Sequence, residues 1–114
     1  MLYTRFYQVK PDRVERLRSW FLEVQRREDE ALASYAQEGT KHVQAYLIDG
    51  ANGPVLAFLA EVGDPLEARA ANVDSHLPID LEHRDVMHDV VASRGAAELL
   101  YDFAVPGGSR GPAT

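Results

Sequence analysis

The chain contains no cysteine, and it has no long run of apolar residues. Without cysteine there is no disulfide bond, no thiolate nucleophile and no cysteine-ligated zinc or iron–sulfur site. No stretch approaches the roughly 20 consecutive apolar residues that a membrane-spanning helix requires. The sequence enters a strand pattern directly after Met1 and shows no signal peptide, so we expect a cytoplasmic protein.

Basic residues are in the minority. Twelve Lys and Arg residues against 18 Asp and Glu residues give a formal net charge of −6. A negatively charged protein repels phosphates, so neither nucleic acid nor a membrane surface is an expected partner. A chain of 114 residues, 46% of them hydrophobic, suits one domain with one core. We predict that this domain covers residues 1–105 and that residues 106–114, rich in Pro and Gly, form a flexible tail.

The residue pattern predicts alternating strands and helices. Strands are predicted at 2–9, 42–48, 55–62 and 96–105, where β-branched and aromatic residues concentrate. Helices are predicted from Pro11 to Gly39, from Asp64 to about Val73, and from Pro78 or Asp80 to Val91. This order predicts an α+β, ferredoxin-like βαββαβ fold, with a four-stranded antiparallel sheet and helices on one face.

Two of the predicted strands are apolar on both faces. Residues 55–60 read VLAFLA, and residues 99–105 read LLYDFAV. A sheet with helices on one face and water on the other shows strict alternation, which is lost here. The chain has enough helix for one layer only. We therefore predict a homodimer in which a second copy covers the other face of the sheet.

Several segments resemble known families. Residues 7–12 (YQVKPD), 45–47 (AYL) and 56–58 (LAF) resemble rhamnose mutarotase. That family lies in the dimeric α/β-barrel superfamily, with antibiotic-biosynthesis monooxygenases, small polyketide cyclases, muconolactone-type isomerases and heme-binding relatives. Residues 75–83 (SHLPIDLEH) also resemble a small prokaryotic family with no assigned function.

The resemblance covers residues 3–105 and implies a dimeric α/β barrel. It does not imply mutarotase activity. The catalytic histidine of that family and the tyrosine one turn before it are replaced here by Phe21 and Leu17. The reaction therefore has to be inferred from the residues themselves.

His83 is the main candidate for a catalytic residue. On a helix its neighbours at three- and four-residue spacing are Ile79, Val86 and Met87, so the imidazole points toward the apolar stripe. Asp80 stands one turn earlier and would fix the tautomer of the imidazole and raise its basicity. Two alternatives stay open. His83 can be a structural histidine, and Asp80 can be the N-cap of the helix.

Polar and aromatic side chains occupy alternate positions of the first two predicted strands, so they share one face of each strand. Arg5 and Tyr7 lie on one face of the first strand, and His42 and Tyr46 lie on one face of the second. Facing the helices, they would line a small-molecule site, with Tyr7 as a third catalytic residue beside His83 and Asp80 and the other three as substrate-binding residues. Facing outward, they would form a polar dimer interface. The sequence leaves both orientations open.

No metal or other cofactor is predicted. His83 and His88 are five residues apart, so they point about 140° apart around a helix and do not converge on a metal ion. A metal site stays open as an alternative, because His76 precedes the helix and could fold back. Heme, with His83 as axial ligand, is an alternative that rests on the superfamily resemblance alone. We expect a small cofactor-independent enzyme of isomerase, cyclase or monooxygenase type. Its ligand would be an apolar or aromatic small molecule, and His83 would transfer the proton. The alternative is a non-catalytic ligand-binding or accessory homodimer.

Overall fold

A computed structural model describes residues 1–107 as one antiparallel sheet with helices. The strands lie in the order β2-β3-β1-β4, and every neighbouring pair is antiparallel. The elements are β1 (Leu2–Val9), a 3-10 helix (Pro11–Arg13), α1 (Val14–Arg26), α2 (Glu28–Glu38), β2 (Thr40–Gly50), β3 (Gly53–Val62), α3 (Pro65–Asp74), α4 (Pro78–Val90) and β4 (Val91–Arg94). The predicted α+β, ferredoxin-like arrangement is confirmed. Residues 108–114 of the predicted tail lie outside the described residues.

Local sequence signals account for most element ends. The Asp64 carboxylate accepts the backbone N–H of Leu66 at 2.9 Å, and Pro65 occupies the first position of α3. Gly39 ends α2 in a left-handed conformation with φ of 73°, which residues with a Cβ rarely adopt. Gly53 closes the β2–β3 hairpin at φ of 108° for the same reason. The helix end at Gly39 was predicted.

The core lies on one face of the sheet. Leu56 and Phe58 of β3 are buried with Val9 of β1 and with Leu17 and Val90 of the helices. Arg5 pairs with Phe58 in the strand register, and Tyr7 pairs with Leu56. Because directly paired residues share a face of the sheet, the Arg5 and Tyr7 side chains project to the helix side.

One prediction about the helices was wrong. The helix predicted from Pro11 to Gly39 is interrupted at Arg27, whose φ of −102° and ψ of 44° are not helical. The Arg27 N–H still donates to the carbonyls of Glu23 and Val24, so the chain continues into α2 with only a local change of direction. The residue pattern contains neither Pro nor Gly at this point and gives no signal for the break.

The position of the fourth strand was also predicted wrongly. It begins directly after α4 and covers Val91–Arg94, whereas residues 96–105 form no strand. The Gly95 N–H still donates to the Phe6 carbonyl at 2.8 Å, and the chain then leaves the sheet. The five large apolar side chains of this segment are between 72% and 83% exposed. The prediction followed the most apolar stretch, whose large side chains stay exposed within residues 1–107.

The sheet face away from the helices carries exposed apolar side chains. Tyr46 pairs with Ala57, and Ala57 pairs with Phe6, which places the Tyr46 side chain on this open face. Ile48 and Leu59 lie on it as well and are more than 40% exposed. No helix within residues 1–107 has the length and apolar character needed to cross a bilayer.

Candidate functional site

A cleft lies between the helix side of the sheet and helices α2 and α3. Its volume is about 390 Å³. Its lining is rich in large polar side chains. Among the described residues that line it, Glu38 is the one acidic residue. The large polar and aromatic lining residues are Tyr3, Arg5, Tyr7, Tyr35, Glu38, Arg69, Asn72 and Arg94.

A smaller chamber of about 60 Å³ lies next to the cleft, and His83 lines it. Arg5, Tyr35, Glu38 and Asn72 line both the cleft and the chamber, so the two spaces are neighbours. On its other side the chamber borders an apolar groove of about 820 Å³ along β2, with which it shares several apolar lining residues. His83 therefore lies between a polar cleft and an apolar groove.

The His83 ring is held by a tryptophan. The Trp20 indole Nε1–H donates to His83 Nδ1 at 2.9 Å, and the ring centroids are 6.1 Å apart. An indole nitrogen can only donate, so Nδ1 must be unprotonated in the neutral ring and the proton must be on Nε2. Within residues 1–107, Nε2 forms no hydrogen bond. Every fully enclosed side-chain nitrogen and oxygen atom in this range has a partner, so Nε2 is partly accessible. The Nε2–H group is thus without a protein partner among the described residues, on a ring that lines the chamber.

The surroundings of His83 keep the ring neutral. Burial, and to a smaller extent the charges of Arg5 and Arg84, lower its pKa from 6.5 to about 4, while the charge of Asp80 acts in the opposite direction. Phe21 and Phe58 also pack around the ring, with centroids 6.4 and 6.3 Å away. At neutral pH the imidazole is a neutral group with one defined tautomer, and it presents an N–H donor.

Asp80 does not cap the helix, although the sequence offered that interpretation. The N-cap of α4 is Leu77, and Asp80 lies in the first turn with its carboxylate buried. The carboxylate accepts the hydroxyl of Ser34 at 2.5 Å and also the hydroxyl of Ser75. Among the described residues it forms no hydrogen bond with His83, which is bonded to Trp20 instead. Asp80 therefore ties α2 and the α3–α4 connection to α4.

Glu38 is the carboxylate that both the cleft and the chamber share. Burial raises its pKa, and hydrogen bonds from Asn72 and Thr40 and the charge of Arg5 partly oppose that rise. The Asn72 amide donates to Glu38 Oε1 at 2.9 Å. A half-buried carboxyl group with a raised pKa beside a cavity is a candidate for proton transfer.

The structure brings some of the predicted site residues together and separates others. Arg5 lines both the cleft and the chamber, and Tyr7 lines the cleft with its ring in edge contact with Phe58, 6.2 Å away. Tyr46 and His42 line neither the cleft nor the chamber. The Tyr46 hydroxyl donates to the Gln44 amide oxygen at 3.0 Å on the exposed side of β2.

Two residues of the site were missed by the sequence argument. Trp20 was not among the predicted site residues, but it is 7% exposed and bonded to His83. Glu38 was not among them either. Its position directly before Gly39 is the available signal, because a helix that ends against the sheet places its last side chains near the strands.

Within residues 1–107, no group of three or more His, Cys, Asp or Glu residues is close enough to hold a metal ion. The chain belongs to a family of unknown function (DUF6176), whose family profile matches residues 2–105. None of the curated proteins matches the chain.

Proposed function

We propose that this family member is a small cofactor-independent enzyme that acts on a small aromatic or apolar molecule carrying a carbonyl group. The observation that carries the proposal is the His83 ring, which is fixed by Trp20 at Nδ1, lines the chamber and forms no hydrogen bond through Nε2 within residues 1–107. An Nε2–H group that is partly accessible and has no protein partner can donate to a ligand.

In this proposal His83 acts as a hydrogen-bond donor. Its Nδ1 lone pair is used by Trp20, so Nε2 keeps its proton and cannot serve as the base. A neutral N–H aimed into a chamber stabilises negative charge that develops on a carbonyl oxygen during reaction. The Arg5 guanidinium, which lines the same chamber, adds positive charge at this point.

Glu38 then supplies the proton-transfer group. A substrate C–H bond next to the carbonyl breaks, its proton passes to the Glu38 carboxylate, and the electron pair moves onto the oxygen that faces His83. In a substrate with a carbon–carbon double bond next to the carbon that loses its proton, Glu38 returns the proton to the far carbon while the carbonyl re-forms, which completes an isomerisation. In a substrate with a second carbonyl, attack of the same carbon forms a carbon–carbon bond, and the resulting alkoxide takes the proton from Glu38, which completes a cyclisation. Neither outcome requires an oxidant or a reductant. Burial, which raises the pKa of Glu38, brings the basicity of this group closer to that needed for the task.

The experiment is hydrogen–deuterium exchange into a set of aryl ketones and aryl keto acids in D₂O, followed by NMR. The wild-type protein is expected to accelerate exchange next to the carbonyl of at least one compound. Glu38→Gln should abolish the acceleration, and His83→Gln should reduce it by roughly 10²-fold, as loss of an oxyanion donor does. Glu67→Gln, an exposed change on α3, is the control and should leave exchange unchanged.

Exchange that persists in Glu38→Gln would overturn the assignment of the base. Absence of exchange with every compound, together with binding of some of them in the chamber, would favour the alternative of a non-catalytic ligand-binding protein. Thermal melting of each variant separates a lost reaction from a lost fold.

We also propose that the chain forms a homodimer, and two observations support this. Exposed apolar side chains lie on the open face of the sheet, among them Ile48 and Leu59. Residues 96–105 carry five more exposed apolar side chains and have no partner strand within residues 1–107. A single extended segment is too narrow to cover a four-stranded sheet face, whereas a second sheet with its own segment covers it fully. This assembly is compatible with either functional alternative.

A further inference from the structure

We propose that the cleft binds the carboxylate of the substrate through Arg5, Arg69 and Arg94, so that the substrate is a small aromatic carboxylic acid. This inference rests on the proposed function, because it assigns the substrate class of the same site. The charge of the cleft lining differs in sign from the net charge of the chain. The chain has a formal net charge of −6, yet these three arginines and one glutamate are the charged residues that line the cleft.

Arg5 acts on Glu38 through its charge, but none of the three guanidinium groups is bonded to a described side chain. Within residues 1–107, their side chains form no salt bridge, although eight ion pairs occur elsewhere, including the N-terminal amine with Glu61. None of the three donates a side-chain hydrogen bond to a described residue. In an acidic protein with many surface carboxylates, three unpaired arginines along one cleft are suited to receive an anion from outside.

Aromatic rings hold two of these groups in place. The Arg5 guanidinium carbon lies 5.0 Å from the centroid of Phe58, and the Arg94 guanidinium carbon lies 5.9 Å from the centroid of Tyr7. A cation stacked on a ring is oriented while its N–H groups remain free to donate. Tyr7 lines the cleft and Phe58 lines the adjoining chamber, so Arg94 is held in the cleft and Arg5 where the two spaces meet.

The surroundings favour a carboxylate joined to an aromatic or apolar body. Planar, bidentate recognition by arginine fits a carboxylate. The neighbouring groove along β2 is lined mainly by apolar and aromatic side chains, so it can receive a ring.

The test is titration with benzoate, benzamide and phenyl phosphate, observed in ¹H–¹⁵N spectra that include the arginine Nε signals. Benzoate is expected to bind and to shift the Nε signals of the three arginines. Its affinity should fall roughly 3- to 10-fold in each of Arg5→Gln, Arg69→Gln and Arg94→Gln, and it should weaken as salt rises. Arg26→Gln removes the same charge from an exposed site on α1 outside the cleft and should leave the affinity unchanged.

Equal binding of benzamide and benzoate would overturn the anion site and would leave the proposed reaction untouched. Tighter binding of phenyl phosphate than of benzoate would overturn the choice of carboxylate. Equal weakening by Arg26→Gln would show a nonspecific charge effect and would also overturn the site. Benzoate binding that depends on the three arginines, without any exchange catalysed by the protein, would confirm the site while the proposed enzyme function fails.

Discussion

The Trp20 indole donates its N–H to Nδ1 of His83 at 2.9 Å, across the contact between α1 and α4. This bond fixes both the tautomer and the orientation of the imidazole. It also joins the two helices that pack on the same side of the sheet. The consequences of the bond can be measured without knowing the substrate.

Protonation of His83 should make the protein less stable in mild acid. Burial lowers the pKa of His83 in the folded protein from 6.5 to about 4. Between these two pH values the unfolded chain therefore binds a proton that the folded protein does not. The free energy of unfolding should therefore fall as the pH drops from about 6.5 toward 4, by up to roughly 3 kcal/mol. Urea unfolding at several pH values measures this slope, and His83→Gln should reduce it. Parallel slopes for the two proteins would contradict the prediction.

Trp20→Phe should loosen the His83 ring while keeping an aromatic side chain in the core. The change leaves Nδ1 without its donor, so we expect a loss of roughly 1–3 kcal/mol in unfolding free energy. The pKa of His83 should rise, because the lost bond favoured the neutral ring. A double-mutant cycle with His83→Gln separates the bond from the loss of packing. Strictly additive effects in that cycle would show that the bond contributes nothing.

Asp80→Asn should lower stability rather than change the state of His83. The carboxylate accepts two serine hydroxyls in a buried position, and hydrogen bonds to a charged group contribute about 1.5–3 kcal/mol. Thermal and urea unfolding should show the loss, while the His83 side-chain NMR signals should stay in place. Asp74→Asn, at the exposed end of α3, is the matched control. A changed His83 tautomer in Asp80→Asn would contradict this prediction and would support the Asp–His pairing suggested by the sequence.

Leu59→Glu should disrupt the proposed dimer. Leu59 lies on the open face of the sheet and is 41% exposed, so a second copy packed on that face would bury the new charge. Sedimentation at micromolar concentration should show a dimer for the wild type and a monomer for the variant. Leu66→Glu is the control, because Leu66 lies on α3 and is 78% exposed. A monomeric wild-type protein would contradict the proposal.

The sequence predicted those parts of the fold that depend on local patterns. Asp64 and Pro65 marked the start of α3, and Gly39 marked the end of α2, because each of these residues acts within a few positions of itself. The break at Arg27 was not predictable, because no residue there is a helix breaker. The fourth strand was misplaced because pairing with β1 depends on where α4 ends rather than on how apolar a segment is.

The candidate site was only partly predictable, because its contacts join residues that are far apart in the sequence. Helical spacing placed His83 correctly among apolar residues, but its partner lies 63 positions away on α1. Asp80 was the nearest carboxylate in sequence, and two serines on other segments bind it instead. The faces of β1 and β2 became known only through the strand register, which brings Arg5 and Tyr7 into the cleft and places Tyr46 on the opposite side.

The most direct test of the central claim is a long-range ¹H–¹⁵N correlation spectrum of the histidine side chains at neutral pH. The structure predicts that His83 is neutral, with its proton on Nε2 and with Nδ1 unprotonated. It also predicts that a ligand in the chamber shifts the Nε2 signal more than the Nδ1 signal. A His83 ring protonated at Nδ1, or charged at neutral pH, would contradict the Trp20 bond and the donor role derived from it.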